Sequence, residues 1–304
     1  MDVLSDVISA ARLGRPHSSR VTRTAPFGES FPEARAAGFH IVLQGTCTFV
    51  GPAGEPVTLG QGDLVFLPRG AAHGLADSPS TPLRRAPAAP GEDGDVVLLC
   101  RAYLLDAAGH PMLDALPDVI RLPARVGRYP ELRAAVDLLG AELAQAARPG
   151  ADAALPTLLD LLLLYILRAW FAENRDTEED GWGAALHDPA VSAALRAVHG
   201  DPAHPWTVEE LAAQAGLSRA AFARRFTRLV GRPPLTYLTW WRMTTAARLL
   251  RSSDASVQSV ARRTGYTSQY AFSHAFKRHY GAPPGVYRQR PEQPLTPAPR
   301  APAP

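Results

Sequence analysis

Arginine side chains are the most abundant groups in this sequence that could bind another molecule, and they are unevenly distributed. Residues 188–290 carry 15 Lys+Arg against 5 Asp+Glu, whereas residues 1–187 carry 16 against 23. Guanidinium groups bind phosphates through paired hydrogen bonds. A basic segment on an otherwise acidic chain predicts a polyanionic partner for that segment, although a solvated basic surface would have the same composition.

Two cysteines and two of the histidines form a second set of reactive groups: Cys47, Cys100, His40 and His73. Thiols can be oxidised, and imidazoles can bind metal ions. The cysteines are too few for a disulfide scaffold and lack the spacing of a metal site. Arg101 would activate the Cys100 thiol only weakly, since neighbours on a strand point to opposite faces. Burial of the thiols as small apolar groups, and ordinary hydrogen bonding by the imidazoles, stay open as alternatives.

Two stretches of the basic segment resemble each other at an offset of 50 residues. The matched pairs are Phe222 and Phe272, Phe226 and Phe276, Gly231 and Gly281, Pro233-Pro234 and Pro283-Pro284, and Tyr237 and Tyr287. Upstream of these pairs the offset is 49: Val208 with Val257, Ala212 with Ala261, and Gly216 with Gly265. So many matches at a fixed period predict a duplicated structural unit with one inserted residue in the second copy.

Each copy has the pattern of a helix-turn-helix unit. The capping and turn residues are Thr207, Glu210, Gly216 and Ser218 in the first copy, and Ser256, Gly265 and Ser268 in the second. These signals begin and end helices, and they predict second helices over 219–230 and 269–280. One helix over 235–251, about 25 Å long at 1.5 Å per residue, would hold the two units about one DNA turn apart.

Each second helix has a buried apolar stripe and an exposed face. Phe222, Phe226 and Leu229 are spaced so that they share one side of the first helix. The residues predicted to lie off the stripes are Arg219, Ala223, Arg224 and Arg228 in the first copy, and Gln269, Tyr270, Ser273, His274 and Lys277 in the second. These faces are the predicted nucleic-acid contacts, and a helical bundle with a basic surface is the alternative.

Residues 188–290 resemble the DNA-binding domain of the AraC/XylS family of transcription regulators. The stretch GYTSQYAFSHAFKRHYGAPPGVYR (265–288) is similar to that family's signature. By this resemblance Arg224 reads bases, and Ala220 and Ala223 stand at contact positions where the family often has larger residues. His274 stands where an arginine is usual, and histidine cannot bind guanine bidentately, so contact there would be weaker or pH-sensitive. The residues expected at phosphates are Ser218, Arg219, Ser268, Gln269 and Lys277.

The first third of the chain has the pattern of a β-barrel or sandwich. Short apolar runs at 39–43, 46–50, 56–59, 63–67 and 96–103 are separated by glycine and proline. The stretches FHIVLQGTCTFV (39–50), GDLVFLPRGAAHGL (62–75) and HPMLDALPDVI (110–120) resemble the cupin-type sensor domain of one branch of the AraC/XylS family. The predicted fold class is therefore α+β: a cupin-like barrel with following helices, then an all-α double helix-turn-helix domain. Cupin enzymes bind metal through three histidines and a glutamate; only His40 and His73 stand in plausible places here, so both are weak metal candidates.

The predicted organisation is a sensor domain over 1–128, a helical dimerisation or packing segment over 129–172, a linker over 173–187, a DNA-binding domain over 188–290 and a disordered tail over 291–304. Within the first domain, residues 76–95 are predicted to form a surface loop. The apolar run 155–171 is shorter than the roughly 20 residues that a membrane span needs. The first ten residues lack a secretory pattern. We therefore expect a cytoplasmic protein.

The expected function is a sequence-specific transcription regulator, most simply an activator, whose barrel responds to a small molecule or to an oxidant through Cys47 or Cys100. The expected partners are double-stranded promoter DNA, RNA polymerase and a second copy of the chain. The predicted partner surface is the helix with Leu155, Leu158, Leu159, Leu162, Tyr165 and Ile166, and packing of that helix on its own barrel is the alternative. No resident cofactor and no catalysis are expected. The alternatives are a metal-dependent cupin enzyme fused to a DNA-binding domain and a DNA binder without sequence preference.

Overall fold

The computed structural model describes residues 3–5, 8, 17–34, 36–85, 94–104, 110–124, 128–145, 148–174 and 180–289, without the side chains of 17–19 and 101–104. The tail 291–304, residues 86–93 of the predicted surface loop and the side chain of Arg101 lie outside the described residues. The rest of that loop includes the end of one strand and a short second strand, Arg84–Arg85.

The described part of the first domain contains two five-stranded sheets. The strands are β1 His17–Arg23, β2 Gly28–Phe31, β3 Ala36–Gln44, β4 Cys47–Val50, β5 Pro56–Leu59, β6 Leu64–Leu67, β7 His73–Ala76, β8 Arg84–Arg85, β9 Val96–Leu104 and β10 Ile120–Leu122. One sheet has the order β1-β9-β3-β6-β10 and the other β5-β4-β7-β2-β8. All pairs are antiparallel except β2 with β8. We call this two-sheet body the barrel.

The central strands β3, β6 and β9 of the first sheet are largely buried on both faces, which explains why they are continuous apolar runs. On β3, Val42 packs inside the barrel, whereas Phe39 and Ile41 pack outside it, beneath the helices. On β9, Leu98 packs inside and Leu99 outside. Because side chains alternate along a strand, His40 and Cys100 lie on the inner face with Val42 and Leu98. The predicted strands at 39–43, 46–50, 56–59, 63–67 and 96–103 are confirmed to within a few residues, whereas β1, β2, β7, β8 and β10 had no prediction.

The helices are α1 Pro111–Ala115, α2 Pro130–Ala144, α3 Ala151–Glu173, α4 Trp182–His187, α5 Pro189–Gly200, α6 Val208–Gln214, α7 Arg219–Val230, α8 Pro234–Ser252, α9 Val257–Arg263, α10 Gln269–Tyr280 and α11 Pro284–Gln289. The two second helices of the repeat, α7 and α10, have the predicted bounds. Both begin at a serine cap and end at a glycine with positive φ, Gly231 and Gly281. Local capping chemistry therefore determines these boundaries.

Helix α3 is longer than the apolar run that predicts it. It has 23 residues, and by length and composition alone it could cross a membrane. The length of the apolar run 155–171 is therefore wrong as a reason to exclude a membrane span. Leu159, Leu162 and Ile166 are fully buried in the core of the chain itself, while Leu155 and Tyr165 are partly buried. The core helix of a soluble protein passes the same test of length and composition. Three of the six residues predicted for a partner surface are thus used in folding.

The barrel and the first helix-turn-helix unit share one continuous core. The His110 ring at the start of α1 packs edge-on against Trp240 of α8, with ring centroids 4.7 Å apart. Arg232 lies 3.5 Å from Asp114 beside this contact. Trp182 is 2% exposed in the same aromatic cluster, so the predicted linker 173–187 includes a buried helix, α4. Burial of this large aromatic ring holds the end of the connecting segment against the core.

The turn glycines of the two units allow a matched prediction. Gly216 and Gly265 both have positive φ, +65° and +80°. A Cβ at Gly216 would meet nothing within 4 Å, whereas one at Gly265 would lie 2.7 Å from the Arg242 guanidinium and 2.9 Å from Ala203 O. Arg242 donates to Pro202 O and His204 O, so a shift of its side chain would break two hydrogen bonds.

We expect Gly216→Ala to lower the free energy of unfolding by about 1–2 kcal/mol, the strain of a left-handed alanine. Gly265→Ala should cost at least twice as much, because it adds the clash. Urea unfolding at constant m-value measures both. Equal losses would show that Arg242 yields without breaking its hydrogen bonds.

Candidate DNA interface and barrel site

The exposed side of α7 is arginine-rich, as predicted. Phe222, Phe226 and Leu229 are buried, and Arg224 and Arg228 lie on the opposite side of the helix. Ala220 and Arg219 are also exposed, and Ala223 is half-buried. The Ser218 hydroxyl accepts a hydrogen bond from Ala221 N at 3.3 Å, so it caps the helix.

The arginines of α7 differ in their partners. Arg219 pairs with Glu209 at 3.0 Å, and Arg228 with Asp180 at 3.3 Å. Arg225 pairs with Asp188, which also caps α5. Within the described part of the chain no ion pair is recorded for Arg224, which lies in a shallow concave surface with Leu217, Ala221, Arg225 and Arg228. Among the described residues, Arg224 is thus the arginine of α7 that forms no ion pair with a carboxylate.

The exposed side of α10 is less basic and carries a large aromatic side chain. Tyr270 is 81% exposed, and His274, Gln269 and Lys277 are exposed too. Ser273 is half-buried, not exposed as predicted, because it lies beside the buried stripe. The Ser268 hydroxyl accepts from Ala271 N at 3.4 Å.

Arg278 is a residue that the sequence reasoning missed. It lies in a concave surface with Tyr270, Ala271, His274 and Ala275, which corresponds to the concave surface on α7. The signal was present, because Arg278 matches Arg228 at the offset of 50 that relates the two copies. Both units therefore present one arginine at the equivalent position of the helix.

Helix α8 positions both units. His199 of α5 stacks on Trp241 with centroids 3.8 Å apart, and its Nε2 is 2.8 Å from the Tyr237 hydroxyl. At the other end of α8, Arg288 of α11 bonds Leu250 O at 3.1 Å. The spacer predicted over 235–251 is thus a helix of 19 residues, packed at each end against a different unit.

Inside the barrel, the structure brings together three of the four predicted reactive groups. His40 and Cys100 are cross-strand partners on β3 and β9, and His40 Nδ1 is 3.0 Å from Cys100 Sγ. His40 Nε2 is 2.7 Å from Nε2 of His73, at the start of β7 in the opposite sheet. His73 Nδ1 is 2.7 Å from Ala71 O, and its ring stacks on Phe31.

Burial governs the ionisation of this cluster. Desolvation, with the neighbouring His73, holds the pKa of His40 well below its usual value, and desolvation also lowers the pKa of His73. Desolvation raises the pKa of the Cys100 thiol to about 12, and that of Cys47 likewise to about 12. Cys100 is partly buried as a residue, and Cys47 is buried. The resting cluster is therefore neutral at pH 7.

The two weak metal candidates, His40 and His73, hydrogen-bond to each other. Their Nε2 atoms are 2.7 Å apart, closer than two nitrogens bound to one zinc ion, each about 2.0–2.1 Å from it, would stand in a tetrahedral site. Among the described residues no group of three His, Cys, Asp or Glu is placed to hold a metal ion. Cys47 lies on β4 and belongs to the apolar core inside the barrel.

Comparison with known proteins covers nearly the whole chain. Residues 2–172 match a family model described as a cupin, and residues 211–290 match one described as a helix-turn-helix domain. An AraC-like transcription regulator of Streptomyces lividans is 34% identical over 97% of this chain and 100% of its own. The RCS-specific HTH-type transcriptional activator RclR of Escherichia coli is 31% identical over 96% of this chain and 99% of its own.

A solved structure is similar to a third of the chain. The DNA-binding domain of AdpA, crystallised in complex with a target DNA, is 40% identical. The match covers 33% of this chain and 90% of that one, with a TM-score of 0.32.

Proposed function

The chain belongs to the AraC-type transcription regulators with an amino-terminal cupin domain, and from this membership we propose how it works: α7 and α10 read a promoter site, and the barrel controls the outcome. It is a DNA-binding regulator and not an enzyme, and the metal-dependent cupin enzyme is not favoured. The observation that carries the proposal is the basic, exposed side of α7, with Arg224 unpaired among the described residues.

The proposed DNA contacts divide into two kinds. Arg224, with Ala220 and Ala223 beside it, faces base edges. The proposed phosphate contacts are Ser218, Arg219, Arg228, Ser268, Gln269 and Lys277, and the side of α10 with Tyr270, Ser273 and His274 adds weaker base contacts. Helix N-termini and guanidinium groups are suited to phosphates. Arg219 and Arg228 must exchange their carboxylate partners for phosphates, which reduces the net gain from these two contacts.

Binding to an operator duplex should be strongly salt-dependent and sequence-specific. Genome-wide mapping of bound sites supplies the duplex, and fluorescence anisotropy measures its affinity. Six to ten phosphate contacts lose about 10³–10⁵-fold in affinity between 50 and 200 mM salt. The operator should bind at least about 10³-fold more tightly than a shuffled duplex. Equal affinities would favour the binder without sequence preference.

We further propose that the protein is an activator that works with RNA polymerase in the cytoplasm, where promoter DNA is accessible. RclR, similar over nearly the whole chain, bears the name of an activator. A homodimer is proposed through the outer side of α3, where Leu158, Leu161 and Tyr165 are only partly buried. Leu138 on the neighbouring helix α2 is 56% exposed, which supports the same surface. Light scattering of the free protein, giving twice the mass of one chain, tests the dimer.

The barrel is proposed to sense an effector or an oxidant, and Cys100 is the better candidate of the two cysteines. Its thiol lies beside an imidazole, whereas Cys47 has no such neighbour among the described residues. We expect Cys100→Ser to abolish the oxidant response of a reporter gene and Cys47→Ser to preserve most of it. An undiminished response in both variants and in the double variant would rule out sensing by cysteine.

A further inference from the structure

The hydrogen bonds around Cys100 have only one consistent direction. Ala71 O can only accept, so His73 Nδ1 carries a proton and, in the neutral ring, His73 Nε2 is an acceptor. His40 Nε2, 2.7 Å away, must then be the donor. This leaves His40 Nδ1 as a lone pair that accepts from the Cys100 thiol at 3.0 Å. The chain runs from thiol to imidazole to imidazole to a backbone carbonyl.

In this arrangement a base, His40, accepts a hydrogen bond from a nucleophile, the Cys100 thiol, and His73 orients that base. Hydrogen-bonded nucleophile and base pairs of this kind activate side chains that are weak nucleophiles at neutral pH. The elements make the arrangement rigid: Cys100 and His40 are directly opposite each other on paired strands, and Phe31 stacks against His73 at 4.9 Å. His73 is partly buried whereas His40 is buried, so charge moved to His73 would be better solvated than charge on His40.

We propose that Cys100 is a covalent modification site for small, uncharged electrophiles with an α,β-unsaturated carbonyl group, and that His40 and His73 relay its proton. The inference rests on the proposed sensing role of the barrel and names the class of effector. The sulfur forms a bond to the β-carbon, and the electron pair of the carbon–carbon double bond moves to the α-carbon. The thiol proton passes to His40 Nδ1 as the His40 Nε2 proton passes to His73. A proton from solvent completes the α-carbon, and His73 returns one to solvent.

The surroundings of Cys100 explain the preference for an uncharged partner. The thiol borders the apolar core inside the barrel, which includes Val42, Phe49 and Leu98. The carboxylate of Glu29, ion-paired with Arg23 at 2.6 Å, also acts on Cys100. An anionic electrophile would lose its hydration in that environment without a free cation to compensate. A neutral carbon electrophile loses little.

Cys47 is a matched control within the same molecule. Burial raises the pKa of both thiols to about 12, but the charged group acting on Cys47 is Asp63 and no imidazole bonds it among the described residues. A thiol with such a pKa and no neighbouring base reacts about tenfold faster for each unit that the pH rises, because its thiolate fraction rises tenfold. With the relay, the imidazoles are already neutral above pH 6.5, so the rate of Cys100 should be nearly constant with pH. Glu29, Arg23, Cys47 and the two histidines are the charged or titratable groups that act on this thiol.

The test measures how fast N-ethylmaleimide, an uncharged α,β-unsaturated carbonyl compound, modifies each cysteine of the full chain. Peptide mass spectrometry quantifies the modification of Cys47 and Cys100 between pH 6.5 and 8.5. We expect Cys100 to react at least about tenfold faster than Cys47 at pH 7 with little pH dependence. His40→Gln should slow Cys100 about tenfold or more and restore the tenfold rise per pH unit. His73→Asn should do so more weakly.

Cys47 also reports folding in each variant, because unfolding would expose it and raise its rate. If His40→Gln exposes Cys47, the rates of His73→Asn decide, because His73 is less buried than His40. Unchanged Cys100 rates in the histidine variants, or a tenfold rise per pH unit in the unsubstituted protein, would overturn the relay. The assay contains neither DNA nor reporter, so its failure leaves the proposed regulator function standing. Modification of Cys100 without any change in operator binding would instead overturn the sensing role.

Discussion

Arg224→Ala should lose sequence preference more than it loses affinity for DNA in general. Its guanidinium is exposed on the side of α7 opposite the buried stripe and has no carboxylate partner among the described residues. A bidentate contact to a base is worth about 1–3 kcal/mol of discrimination, or about 5- to 150-fold. We expect a loss of that size on the operator and a much smaller loss on a shuffled duplex, both measured by anisotropy at two salt concentrations.

Two control variants make this result specific. Arg225→Ala removes the neighbouring arginine, but Arg225 is held by Asp188, so this change should lower thermal stability without relaxing specificity. His274→Ala, the equivalent position in α10, should weaken binding more evenly across sequences than Arg224→Ala does, since histidine lacks the bidentate geometry. If instead His274→Ala relaxes specificity and Arg224→Ala weakens all duplexes equally, the proposed asymmetry between the units is wrong, while the family assignment stands.

Phe226→Ala and Phe276→Ala should destabilise different parts of the molecule by similar amounts. Both rings are fully buried at equivalent positions of the repeat. Truncating a buried phenylalanine costs about 3–5 kcal/mol. Phe226 lies in the core that continues into α5, α4 and the helices on the barrel, whereas Phe276 lies in a separate core with Met243, Val260 and Tyr287.

Hydrogen exchange read by mass spectrometry separates the two outcomes. Phe276→Ala should increase exchange in α9, α10 and α11 and leave the barrel protected, because the second unit can open alone. Phe226→Ala should increase exchange in α7 and also in α4 and α5. If both variants instead increase hydrogen exchange throughout the barrel to the same extent, the two cores unfold together. Operator binding should fall in both, because each unit presents one face to DNA.

Sequence alone determined the helix-turn-helix units. The bounds of α7 and α10, the capping box of Thr207 and Glu210, and the buried phenylalanines all agree with the prediction. Caps, turn glycines and helical periodicity are signals between residues at most a few positions apart, so a single sequence contains them in full. The same repeat would also have identified Arg278, had the offset been applied to Arg228.

Tertiary structure decided which predicted groups meet. Strand pairing places Cys100 beside His40, 60 positions away, and sheet packing adds His73, which no local pattern specifies. The pairing of Arg228 with Asp180, and the burial of Trp182 within the predicted linker, likewise depend on contacts between separate elements. The sequence correctly predicted the basic, exposed side of α7. Only the fold determined that Arg224 is left without a carboxylate partner among the described residues. Only the fold determined, too, that the Cys100 thiol has a neighbouring imidazole and the Cys47 thiol has none among the described residues. The reason is that strand register and side-chain packing decide which residues distant in the chain come into contact.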